Sequence, residues 1–309
     1  MPKRINPDRL CGVWSAAPTP LTDKLALDVP SLRRVIEHHA RLGVRGLFLA
    51  GTNGEGPWLT DDQRRKLVQS AAKFSAGRLM LAVQVTDNSA PRILDNIRQA
   101  KADGADIAVI APPYFMMNAT AENVLALYRE AIRRSPLPIG VYDRGSFSAV
   151  AVPNGVLAKI YAEKNVVLVK DSSSDAERMQ VALAARKRRP SLRLLDGNEF
   201  DCVSYLQAGY DGLLLGGAVF NGWLARQIMQ AVADGRIDLA GRLQKRMNRM
   251  MWAVYGGKKI ACWLSGEKKL LVEMGLLRSW RNYPNYPLTA SCEKAIARVL
   301  EKEREVLLP

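Results

Sequence analysis

No apolar stretch in this 309-residue chain approaches the roughly 20 residues of a membrane span, so no membrane partner is expected. The opening residues, Met1-Pro2-Lys3-Arg4-Ile5-Asn6-Pro7, show no apolar signal region. A soluble, cytoplasmic protein is the resulting expectation. Cysteine is scarce: Cys11, Cys202, Cys262 and Cys292 are scattered, without metal-ligand spacing or the density of a disulfide scaffold. Histidine is scarcer. His38 and His39 fall in one helical pattern, and no further histidine exists to complete a site, so no metal is expected. Acidic residues are also short, 30 against 45 Lys and Arg, for a net charge of +15. Such a balance invites a nucleic-acid partner. Yet the basic residues are spread from Arg33-Arg34 through Arg64-Arg65-Lys66 to Lys258-Lys259 and Lys268-Lys269, mostly in amphipathic helical patterns. No base-reading motif accompanies them. They read as solvated faces, and no nucleic acid is expected.

Apolar residues, at 48%, suffice for a full core. Apolar strand candidates recur at residues 13–17, 46–50, 79–85, 107–111, 139–142, 166–169, 192–195 and 212–215. Between them apolar positions recur with a helical period, as in Leu32-Val35-Ile36 with Leu42 and in Val124-Leu127-Tyr128-Ile132. Eight strand–helix units predict a closed parallel barrel, which leaves no edge strand to protect. A doubly wound sheet would show the same alternation, but no Gly-rich dinucleotide fingerprint follows the first strand. Beyond Asn221 the pattern is helical throughout, near residues 224–232, 239–254, 268–274 and 292–305. The expectation is α/β: a (β/α)8 TIM barrel over residues 1–232 and a C-terminal helical extension over 233–309.

In such a barrel, chemistry takes place where the strands end. Lys170 closes the run Val166-Val167-Leu168-Val169 and precedes Asp171-Ser172-Ser173-Ser174-Asp175. Low dielectric there penalises an ammonium and favours the neutral amine, the nucleophile of Schiff-base chemistry. A lysine that snorkels to solvent or pairs with Asp171 is the alternative. Asp171 and Asp175 read as loop-holding or helix-capping groups, and Cys202 as a small buried hydrophobe. Thr52, Asn53 and Glu55 follow strand 2, Tyr114 strand 4, Tyr142 strand 5, Glu199 strand 7 and Gly216-Gly217 strand 8. Two tyrosines and a lysine converging on one cavity fit carbonyl chemistry. Thr52 and Asn53, with their backbone amides, read as a carboxylate anchor on a turn made permissive by Gly51, Gly54 and Gly56.

Gly51-Thr52-Asn53-Gly54-Glu55, Val141-Tyr142-Asp143, Val169-Lys170-Asp171-Ser172-Ser173 and Ala208-Gly209-Tyr210-Asp211-Gly212 occur in barrel order. Together they resemble the dihydrodipicolinate synthase / N-acetylneuraminate lyase family of Schiff-base-forming aldolases. The resemblance covers most of the chain. It implies a barrel with a C-terminal helical domain, a homo-oligomer (tetramer or dimer), and no metal or organic cofactor. It also implies that Lys170 forms an imine with C2 of a small-molecule 2-oxo acid, with Tyr142 as general acid/base and Thr52 as its catalytic partner. Thr52 and Asn53 would anchor the carboxylate.

The departures bear on substrate. Phe115 stands where the family has a tyrosine that crosses a subunit interface, so Tyr114 and Phe115 are read as interface contributors. Phe147 falls where the synthases carry an arginine, which Arg144 would replace from a displaced position. In Gly197-Asn198-Glu199-Phe200 the chain keeps one of the two acids with which sialic-acid lyases bind hydroxyls, and Gly216 replaces their serine. Arg144, Phe147, Glu199 and Gly216 are therefore the substrate-binding candidates. The implied activity is a lyase that releases or condenses pyruvate, with a small 2-keto-3-deoxy sugar acid as substrate. A 4-hydroxy-tetrahydrodipicolinate synthase, a 2-keto-3-deoxy acid dehydratase, and a catalytically silent ligand-binding or structural homologue are the alternatives.

Overall fold

The computed structural model describes residues 5–308, so the start of the stretch read for a signal region lies outside the described residues. Eight parallel strands close into a barrel in chain order: β1 (Gly12–Ala16), β2 (Gly46–Leu49), β3 (Met80–Gln84), β4 (Ile107–Ile110), β5 (Ile139–Asp143), β6 (Val166–Asp171), β7 (Arg193–Asp196) and β8 (Gly212–Leu215). Helices α1 (Val29–Leu42), α2 (Asp61–Ser75), α3 (Ala90–Ala102), α4 (Ala121–Arg134), α5 (Asn154–Tyr161), α6 (Ala176–Arg188), α7 (Cys202–Ala208) and α8 (Ala218–Ala233) alternate with them. This is the (β/α)8 barrel that the apolar runs predict. Strand ends differ from expectation by a residue or two, since the pattern marks burial rather than hydrogen bonding.

Alternation along each strand builds two apolar layers. Trp14, Phe48, Met80, Val109, Leu168 and Leu214 fill the barrel interior. Their neighbours Leu47, Leu49, Ile110, Val141 and Val169 face outward and join the layer shared with the helices. Local signals fix the helix ends. Thr60 and Gln63 form a capping box at the start of α2, and Asp175 caps α6 through the amides of Glu177 and Arg178.

Four more helices follow: α9 (Ile237–Val254), α10 (Trp263–Glu273), α11 (Ala290–Lys302) and α12 (Arg304–Leu307). Met247, Met251, Leu271 and Ile296 continue the apolar layer of the outer barrel. Two expectations are corrected here. The C-terminal part is not helical throughout, because residues 275–289 form an irregular connection. Lys268 is not on a solvated face: it is fully buried and paired with Glu55, an alternative that a 3.6-residue pattern cannot distinguish for one long side chain. Among the described residues no helix is long and apolar enough to cross a membrane.

Candidate active site

Strand register sets the centre of the site. Tyr142 on β5 pairs with Lys170 on β6, so both side chains face the same side of the sheet. Leu168, two residues before Lys170, is in the interior cluster, and the same alternation turns Lys170 inward. Lys170 stands at the strand end as its sequence position suggests, and β6 extends one residue further, through Asp171. Lys170 is buried, and its Nζ lies 4.3 Å from the Tyr142 ring centroid and 5.0 Å from that of Phe48. It therefore neither snorkels to solvent nor pairs with Asp171. Asp171 instead accepts hydrogen bonds from Ser173 Oγ (2.7 Å) and Tyr210 (2.6 Å), holding the loop as its sequence position suggests.

Lys170 and Tyr142 line a cavity of about 310 Å³ together with Thr52, Ser172 and Glu199. Burial pushes the Tyr142 hydroxyl up, but the Lys170 and Arg144 charges, with the polar side chains of Thr52 and Ser172, outweigh it and bring it below the ordinary tyrosine value. Thr52 lines the same cavity as Tyr142. Ser172 was missed because a serine in a Ser-rich loop carries no distinguishing signal. Gly197 is required for space: a Cβ there would lie 2.0 Å from Ser172 Oγ and 3.0 Å from Lys170 Cε.

The turn after β2 corrects the glycine argument. Its left-handed residues are Ala50 (φ 52°) and Glu55 (φ 58°), not Gly51, Gly54 or Gly56. Those glycines are needed for close approach instead. A Cβ on Gly56 would sit 1.7 Å from the Ala50 carbonyl oxygen, and one on Gly51 would sit 2.6 Å from the Phe48 ring. Asn53 follows Thr52 in this turn, and its amide nitrogen donates to Ala16 O (2.8 Å) and Glu267 Oε1 (2.9 Å).

Across the cavity Glu199 accepts from the Gly217 amide (2.7 Å) and the Tyr255 hydroxyl (2.9 Å). Burial pushes its carboxyl up, against the pull of those two donors and of Lys170. Glu267 on α10 is fully buried beside it, and burial raises its carboxyl well above the usual range. Tyr255 and Glu267 were not anticipated: Tyr255 falls just past the helical pattern of residues 239–254, and periodicity assigns Glu267 no contact with the cavity. Arg144 and Phe200 line the cavity, with Ile260 and Trp263 from the C-terminal segment; Phe147 is at the rim and 66% exposed. Asp143 fixes the Arg144 loop by accepting from the Gly145 amide (2.9 Å) and from Arg178 on α6 (2.9 Å).

Tyr114 and Phe115 do not line this cavity. The Tyr114 hydroxyl accepts from Gln84 Nε2 at 2.7 Å, and Phe115 is 62% exposed. His38 and His39 are buried in α1, on Val219 O (2.9 Å) and on Val35 O and Ser15 Oγ (both 2.8 Å). Cys202 is buried.

Known proteins share this fold. The model of the dihydrodipicolinate synthetase family matches residues 9–303. A 4-hydroxy-tetrahydrodipicolinate synthase of Thermotoga maritima is 27% identical over 249 residues, covering 79% of this chain and 83% of its own length. The solved dihydrodipicolinate synthase of Bacteroides thetaiotaomicron is 27% identical with a TM-score of 0.86, over 94% of this chain and 98% of that one. A structure described as a monomeric dihydrodipicolinate synthase variant has the same fold, with a TM-score of 0.88 at 24% identity over 99% and 100% of the two chains.

Proposed function

The chain belongs to the dihydrodipicolinate synthetase family, and we propose that it is a lysine-imine lyase acting on a 2-oxo acid, with a small 2-keto-3-deoxy sugar acid as its substrate class. The observation that carries this reading is the inward, buried Lys170 amine 4.3 Å from the Tyr142 ring, in a cavity that also holds Thr52 and Ser172. Attack of the amine on C2 and loss of water give a protonated imine, an electron sink. In the cleavage direction Tyr142 takes the proton of the C4 hydroxyl as the C3–C4 bond breaks. The electron pair moves to the imine nitrogen, leaving an enamine and an aldehyde. Protonation of C3 and addition of water release pyruvate and the free Lys170 amine. Thr52 and the backbone of the turn after β2 hold the carboxylate. Exposed Tyr114, Phe115 and Met117 suit contact with a second copy in a dimer or tetramer.

Condensation of pyruvate with a carboxylated aldehyde, as in a 4-hydroxy-tetrahydrodipicolinate synthase, is the second reading. Arg144 favours it, a cation in the cavity that would receive the second carboxylate.

Borohydride treatment with pyruvate and a panel of 2-keto-3-deoxy sugar acids, followed by peptide mass spectrometry, tests the mechanism. A reduced adduct on Lys170 is expected, absent in K170A, with Y142F retaining the adduct but losing about 10²–10⁴ in turnover. Unchanged turnover in K170A would remove the imine from the mechanism.

A further inference from the structure

Two consecutive residues of α10 reach the same turn. Lys268 pairs with Glu55, and Glu267 Oε1 accepts from Asn53 Nδ2 at 2.9 Å. Both partners belong to the turn after β2 that carries Thr52. The Asn53 nitrogen also donates to Ala16 O at 2.8 Å, with Gly216 O at 3.4 Å. Backbone carbonyls only accept, so they fix which end of the amide is nitrogen. With its donor engaged inside the protein, the Asn53 side chain holds the turn and leaves the substrate carboxylate to Thr52 and the backbone.

This contact is one hydrogen short. Glu267 Oε2 and Asn53 Oδ1 are both buried oxygens without a partner among the described residues, and Glu267 is fully buried. As a carboxylate, Glu267 would be a buried charge with a donor on one oxygen alone. The cation that acts on it, Lys268, is taken by Glu55 and by Arg281 O. The other ionisable groups around it are Glu55 in the turn, Glu199 after β7 and the Tyr255 hydroxyl after α9, and none of them adds positive charge. Glu199 is better served, with the Gly217 amide on one oxygen (2.7 Å) and the Tyr255 hydroxyl on the other (2.9 Å). Of these two acids, the proton therefore belongs on Glu267. An un-ionised carboxyl is also the complement of an amide: it sets an acceptor and a donor against the amide's donor and acceptor. A proton on Oε2 thus supplies the hydrogen that Oδ1 lacks. Burial acts in the same direction, raising the Glu267 carboxyl well above the usual range.

We propose that Glu267 is a positioning residue that stays un-ionised at neutral pH and, paired with Asn53 through two hydrogen bonds, braces the turn that binds the substrate carboxylate. The inference rests on the lysine-imine reading for what the turn holds. It goes beyond that reading by placing a neutral acid of the C-terminal helices behind the turn.

Infrared difference spectroscopy of the full-length protein, wild type minus E267Q at neutral pH, reads the proton. E267Q keeps the side-chain volume and, through its amide, both hydrogen bonds. The carbonyl stretch of an un-ionised carboxylic acid is expected in the wild-type protein and absent from E267Q; loss of carboxylate bands instead overturns the proposal. Binding is read as the pyruvate concentration that half-saturates borohydride trapping. E267Q is expected to match the wild-type value within about twofold, and E267M to raise it about tenfold, the worth of one buried hydrogen bond. Trapping at saturation is expected to stay unchanged in both, which separates positioning from loss of fold. In N53A the pair is already broken, so adding E267M should change nothing further. A loss of about tenfold in E267Q, wild-type half-saturation in E267M, or additive effects in N53A/E267M overturns the proposal. Where E267M fails to fold, wild-type half-saturation in N53A does the same. Wild-type trapping is scored first: no pyruvate adduct removes the imine reading, while the difference spectrum still decides whether Glu267 holds its proton.

Discussion

Breaking the Lys268–Glu55 pair offers the sharpest test of how the C-terminal helices support the site. Both side chains are 0% exposed. Lys268 Nζ also donates to Arg281 O at 2.9 Å, and Glu55 Oε2 accepts from the Tyr283 amide at 2.7 Å. Burial lowers the Lys268 pKa, opposed by the Glu55 carboxylate. In K268M, Glu55 keeps one amide donor and loses its counter-charge; in E55Q, Lys268 keeps only neutral oxygen acceptors and loses its counter-charge. Leaving one buried charge unpaired costs about 3–5 kcal/mol. At roughly 2 °C per kcal/mol for a large domain, each single variant should melt about 6–10 °C below the wild-type protein. The double variant K268M/E55Q buries no unpaired charge and should be more stable than either single one. Thermal unfolding followed by circular dichroism gives all four corners of the cycle. A double variant destabilised by the sum of the two singles would show that the charges do not act as a pair. Because Glu55 ends the turn that carries Thr52 and Asn53, K268M should also weaken substrate binding at temperatures where it remains folded.

Other substitutions probe the centre and the outer layer. Gly197→Ala drives a methyl into Ser172 Oγ and Lys170 Cε; borohydride-trapped pyruvate should fall by about 100-fold, the scale of an ångström-sized misplacement, and an unchanged yield would mean that Lys170 reacts from another rotamer. His38 and His39 are held, chiefly by burial, to about 4 and about 3. As the only histidines, they should give two imidazole NMR signals that stay put from pH 8 to 5.5; a transition near pH 6.5 in either would refute their packing. An unfolded imidazole takes up a proton near pH 6.5, so their contribution is complete above that pH and is lost as pH falls toward their folded values. The loss is about 2 kcal/mol each by pH 5. Asp196 and Glu267, raised by burial, titrate in the opposite sense, which is why the imidazole signals are the better readout.

The barrel was legible because closure leaves each strand buried on both faces, so eight successive apolar runs separated by helical patterns determine it with little help from local propensity. Lys170 and Tyr142 were legible for a related reason: a charge or a hydroxyl at the end of such a run breaks a pattern that packing alone would continue. The supporting residues carry no such contrast. Tyr255 directly follows α9 and Glu267 lies on α10, where a polar position is ordinary, and only the fold brings them within reach of Glu199 and Asn53. Lys268 reads as surface because its neighbours in sequence are charged, yet its partner is 213 residues away. Asn53 shows the limit most clearly. Its place in the turn after β2 predicts a polar contact to substrate, but its amide nitrogen is taken by Ala16 O, Gly216 O and Glu267, groups of distant chain segments whose direction no side-chain pattern records. Sequence patterns report which groups are buried; the partners a buried amide finds are fixed by the dipoles around it, and these exist only once the barrel has closed.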